Sequence, residues 1–134
     1  MGRGVWRVVS DSQLGLPRLA WRIAAVFLAG LAAFVALLPR SGTPGVEIED
    51  LGDNLTLVLH GLGFALLAFV VMVAQRTPRP VVTSVGLILY GGFLEMTQGL
   101  VGYRSAQPGD MLANASGVFI GVALALLLPR PRHD

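Results

Sequence analysis

The sequence contains no cysteine and no lysine, and charged residues make up only 13% of its 134 positions. Without cysteine, a disulfide framework and a thiolate metal site are excluded, and the redox compartment cannot be read from thiol usage. Soluble domains carry about a quarter charged residues. Half that share, in a chain that is 54% hydrophobic, excludes an ordinary water-soluble globule. The abundance of Leu, Val and Ala also argues against disorder. All ten basic residues are arginines, and the formal net charge is +2. They sit in pairs beside apolar stretches, which is a membrane-topology pattern and not a nucleic-acid footprint.

What the chain does have is apolar length. Four segments, about 19–38, 55–74, 81–101 and 111–128, can each cross a hydrocarbon core of roughly 30 Å at 1.5 Å per helical residue. Pro39 and Pro129 follow the first and last segments as stop signals, and Pro78 and Pro80 break the chain between the second and third. The first segment exceeds the usual apolar core of a signal peptide. It also leads into Leu37, Leu38, Pro39 and Arg40 instead of a small-x-small cleavage site, so an uncleaved anchor is expected. The expected fold is an all-α integral membrane protein, a four-transmembrane-helix bundle forming a single domain over residues 1–134.

Charge orients that bundle. Arg3, Arg7, Arg18 and Arg22 precede the first segment, Arg76 and Arg79 occupy the second connection, and Arg130 and Arg132 follow the fourth segment. The positive-inside rule places these regions in the cytoplasm, giving N-in and C-in. Trp6 and Trp21 then lie at the cytoplasmic interface. The first connection, with Glu47, Glu49, Asp50 and Asp53 against Arg40, faces outward, as does the third, with Arg104 and Asp110. Short connections pair the second helix with the third and the third with the fourth. Ala113, Gly117, Gly121 and Ala125 form a row of small residues that admits a neighbouring backbone, a candidate seam for a homodimer.

The informative residues are those that ought not to be in lipid. His60, Glu95 and Asn114 lie roughly 5–9 Å inside the outer ends of three different segments. Glu95 and Gln98 share a helix face, as do Asp110 with Asn114 and Asp53 with His60. The simplest arrangement is an outward-opening polar pocket of Asp53, His60, Glu95, Gln98, Arg104, Asp110 and Asn114. Five of the seven also have a plainer role. Asn114 and Gln98 suit helix-to-helix hydrogen bonds, Asp53 and Asp110 suit N-caps, and a lone histidine is more often structural. Glu95 stands apart, because a mid-span carboxylate is a functional-site candidate by default.

Standard chemistries match poorly. No G-x-S-x-G, P-loop or dinucleotide turn occurs. His60 with Glu95 supplies at most two metal ligands and no H-E-x-x-H is present, so neither a metal site nor a cofactor is expected.

The pattern Asp53-x6-His60, Tyr90-Gly91-x3-Glu95-x2-Gln98 and Arg104-Ser105-x4-Asp110-x3-Asn114-x2-Gly117-x3-Gly121 resembles the VanZ-like family of small bacterial membrane proteins over about 53–121. Family members commonly have lysine directly after the first aspartate, where this chain has Asn54. The family takes its name from a protein implicated in resistance to the glycopeptide teicoplanin. The resemblance therefore implies a multi-pass protein of the bacterial plasma membrane with an envelope-related role. Three functions remain open. One is binding of a lipid headgroup, a lipid-linked cell-wall precursor or a glycopeptide, with Arg104 on phosphate. Another is an enzyme acting on an envelope lipid, with Glu95 and His60 as acid and base. The last is a non-catalytic subunit or small proton-coupled transporter.

Overall fold

The computed structural model describes residues 14–37, 49–101 and 108–128. The regular secondary structure within them is all helical: α1 (Arg18–Leu37), α2 (Glu49–Ala74), α3 (Pro80–Val101) and α4 (Pro108–Leu126). Each contains a stretch long and apolar enough to cross a membrane, so the expected all-helical, four-span architecture is the one observed. The orientation across the bilayer rests on charge alone.

All four helices start earlier than apolar length suggests, α2 and α4 by more than one residue. Both α3 and α4 open on a proline, Pro80 and Pro108. A helix's first residue needs no intrahelical N–H bond, and proline's fixed φ already suits it. In α2 the helix begins at Glu49, ahead of its apolar run. Neither Asp53 nor Asp110 is therefore an N-cap. Asp53 is a helical residue of α2, and Asp110 lies inside the first turn of α4, where a carboxylate complements the helix dipole. The α2–α3 turn is closed by Gln75, whose Nε2 donates to Thr83 Oγ1 at 2.7 Å and whose Oε1 accepts from the Arg79 backbone N–H at 2.8 Å.

Cross-helix contacts define an up-down-up-down bundle. Along α1 and α3, Tyr90 and Gln98 bond to Ala29 and Ala36 in the same order, so those two helices run parallel. Gly117 and Gly121 of α4 meet Gly61 and Ala65 of α2 in the same order, making that pair parallel too. Arg18, Arg22, Arg76 and Arg79 consequently share one end of the bundle, the end expected to be cytoplasmic.

Packing departs from sequential pairing. The most extensive contact joins α2 to α4, whereas α2 and α3, though adjacent in sequence, touch far less. Small residues explain the preference. A Cβ added at Gly117 would run into the Gly61 carbonyl, and one added at Gly121 would run into the Ala65 carbonyl and stand 2.9 Å from Ala68 Cβ. Removing side chains from the seam lets the two backbones approach, which is how helices associate when lipid supplies no hydrophobic drive. The Gly117/Gly121 face, expected as a candidate dimer seam, is thus filled by α2 of the same chain. A second copy would need another face.

The core lies against this seam: Phe64, Ala68 and Met72 from α2, Leu94 from α3, Val118 and Val122 from α4. The outside is apolar as well, with Phe27, Phe34, Leu62, Phe93, Phe119 and others exposed, as a lipid-facing surface requires. On α1 no residue is buried, and α3 ties it in through polar side chains. The Tyr90 hydroxyl donates to the Ala29 carbonyl at 2.6 Å, and Gln98 Nε2 donates to the Ala36 carbonyl at 2.7 Å. Ala36 lies in the last turn of α1, where carbonyls lack an intrahelical partner and are open to such a bond.

Candidate functional site

At the end of the bundle opposite the four described arginines, three helices each deliver one ionisable side chain. His60 comes from α2, Glu95 from α3 and Asp110 from α4. One nitrogen or oxygen from each side chain falls within 4.8 Å of the other two. His60 Nδ1 stands 3.8 Å from Glu95 Oε1, close enough for an ion pair when the ring is protonated and too far for a hydrogen bond. Glu95 and Asp110 are only 3% and 1% exposed.

Glycines make this convergence possible. A Cβ at Gly109, next to Asp110, would press on Leu57 of α2 at 3.3 Å, and one at Gly61, next to His60, would touch the Ala113 carbonyl at 3.5 Å. The first turns of α4 therefore lie tight along α2, carrying Asp110 inward beside His60. On α3, Gly91 sits one turn before Glu95. A Cβ there would lie 3.2 Å from the Phe64 ring and 3.3 Å from Asn114 Nδ2, so Asn114 occupies space that any larger residue at position 91 would take. Phe64, a core residue, meets Tyr90 with ring centroids 6.3 Å apart.

Of the seven residues read as a pocket from sequence, His60, Glu95 and Asp110 meet. Asn114 borders them, one helical turn from Asp110, and is 3% exposed. Gln98 is buried but turns its amide nitrogen to α1. Arg104 lies outside the described residues, as does the side chain of Asp53. Asn54 is exposed. The sequence reading gave Asp110 to the pocket as well as to a helix cap and counted at most two metal ligands, His60 and Glu95; the structure brings a carboxylate oxygen of Asp110 to the same place. The α2 half of the seam also went unread, although Gly61, Ala65 and Ala68 recur at spacings of four and three, the signal that would have revealed it.

Apposed carboxylates in a span are costly unless paired, hydrogen-bonded or ion-bound. The VanZ/LLP1 family model matches residues 23–129, most of the chain. The chain is a member of the VanZ/LLP1 family. The VanZ/LLP1 match reaches into α1, beyond the 53–121 region in which the motif was legible, and it contains His60, Glu95, Asp110 and Asn114. No curated protein and no solved structure matches the chain significantly. Membership of VanZ/LLP1, with four apolar helices, makes this a multi-pass membrane protein.

Proposed function

We propose that this VanZ/LLP1 protein binds a lipid headgroup, a lipid-linked cell-wall precursor or a glycopeptide at a polar pocket at the outward-facing end of its bundle. The observation that carries this reading is the convergence of His60, Glu95 and Asp110, from three helices, near that end, with the two carboxylates buried and His60 partly exposed. Arg104, in the connection between α3 and α4, supplies the fork that matches a phosphate. A role in teicoplanin-type resistance is proposed at the level of the family. The bacterial plasma membrane is the proposed location, with both termini cytoplasmic.

Native mass spectrometry in the presence of EDTA tests the headgroup role. The wild-type chain is expected to retain anionic phospholipid or precursor, and Arg104→Ala to lose most of it. Equal retention by the two would remove the phosphate role. Orientation is checked by single cysteines at positions 43, 77 and 104. Membrane-impermeant reagent applied from outside is expected to label 43 and 104 and to spare 77, and the reverse pattern would invert the topology.

A second reading is favoured by the 3.8 Å approach of His60 to Glu95. That pair could exchange a proton with a bound envelope lipid, making the protein an enzyme. Turnover of a lipid-linked substrate by purified protein separates catalysis from binding alone.

A further inference from the structure

We infer that His60, Glu95 and Asp110 form a binding site for one divalent transition-metal ion of the zinc or manganese type, with the Asn114 side-chain oxygen as a further donor. The inference is independent of any lipid ligand.

Geometry is the first support. Three donor groups arrive from three helices with their ligating atoms inside 4.8 Å. Bonds from zinc to imidazole nitrogen or carboxylate oxygen are about 2.0–2.2 Å, so donors facing each other across an ion stand up to about 4 Å apart. Small side-chain rotations, with no helix movement, bring the widest pair into that range.

Asn114 gives the second, independent support. The residue is 3% exposed, and its Oδ1 has no hydrogen-bond partner. Buried side-chain carbonyls are nearly always satisfied, so each exception calls for an explanation. Its place supplies one: Asn114 lies one turn from Asp110 on α4, and its Nδ2 packs against Gly91, one turn from Glu95 on α3. The amide is therefore held between the turns that bear the two carboxylates, where its oxygen can complete a coordination shell.

Charge and donor type select the ion. Two ionised carboxylates and a neutral imidazole carry a charge of −2, which one divalent cation cancels, removing the penalty of burying like charges together. Imidazole favours zinc, iron, nickel and copper, whereas carboxylate and amide oxygens favour magnesium and manganese. A shell of one nitrogen and several oxygens, with no thiolate, fits Zn²⁺ or Mn²⁺. His60, 20% exposed on its side chain, marks the side from which an ion enters.

The test uses the full chain, purified without a polyhistidine tag, stripped with EDTA and placed in nanodiscs of zwitterionic lipid. Zn²⁺ is titrated by calorimetry, and Co²⁺ serves as a visible-absorption probe. The expected result is one ion per chain, with cobalt absorption bands of a nitrogen- and oxygen-ligated centre. Asp110→Asn and His60→Gln should each weaken binding by about 100-fold, and Asn114→Ala by about tenfold. His133→Asn, in the C-terminal tail, should bind as wild type. Substoichiometric wild-type binding overturns the proposal, as does wild-type affinity in both Asp110→Asn and His60→Gln. Should Asp110→Asn fail to fold, the partly exposed His60→Gln decides alone. Because lipid retention is read with EDTA present, loss of the metal site and loss of the headgroup site are distinguishable results.

Discussion

Gly117→Ala and Gly121→Ala are each expected to destabilise the protein by about 1–3 kcal/mol, the usual penalty for overpacking a filled interior. The double variant should fail to assemble. Both added methyl groups are aimed at main-chain carbonyls of α2, at Gly61 and Ala65. A flexible side chain can swing away, but a carbonyl moves only with its helix. Relief therefore requires α2 and α4 to separate, which loosens Val118, Val122 and Ala68 together. Gly63→Ala and Gly86→Ala are the matched controls. A Cβ at either position meets nothing within 4 Å, so the gain in helix propensity over glycine, roughly 0.5–1 kcal/mol, should leave these variants as stable as wild type or slightly more so. Thermal unfolding in detergent, followed by far-ultraviolet circular dichroism, gives the comparison. Equal melting of all four single variants would show that the seam is looser than described.

Glu95→Gln is expected to separate folding from function. The change is nearly isosteric and removes only the charge. Where two buried carboxylates, Glu95 and Asp110, face one histidine, neutralising one of them relieves the repulsion between like charges and leaves the other to His60. The variant should therefore melt at or above the wild-type temperature. Its retention of a lipid or precursor whose hydroxyl or amine groups donate to the Glu95 carboxylate should fall by at least about tenfold, equivalent to 1.4 kcal/mol of binding free energy. Loss of folding would instead assign Glu95 to packing, and unchanged retention would remove it from the site.

How far the sequence reveals this arrangement follows from what each residue responds to. Helix number and type were legible because the bilayer imposes one length on every span. Helix starts were less so, since apolarity marks the hydrocarbon boundary and not the first helical residue: Pro108 begins α4 before the apolar run does. The same shift hid the depth of Asp110. Beside an apolar run it reads as a cap, yet it lies within the first turn and is 1% exposed because Gly109 lets α4 press against Leu57. Glu95 was legible from position alone, since a carboxylate in a span calls for company. Its company was not fully legible, because short connections suggest sequential pairing while small-residue faces decided that α2 and α4 would pack. Gln98 shows the same limit. It shares a face with Glu95, but the open Ala36 carbonyl in the last turn of α1 draws its amide away.

The skip in helix pairing has a consequence for biogenesis. As segments leave the ribosome in order, α2 enters the membrane with the Gly61, Ala65 and Ala68 stripe facing lipid, and α3 cannot cover it, since its own contact with α2 is slight. The stripe is closed only when the last span arrives. That same late segment carries Asp110, so the ionisable trio and the tightest helix contact are completed together, and a nascent chain halted after α3 holds His60 and Glu95 without either.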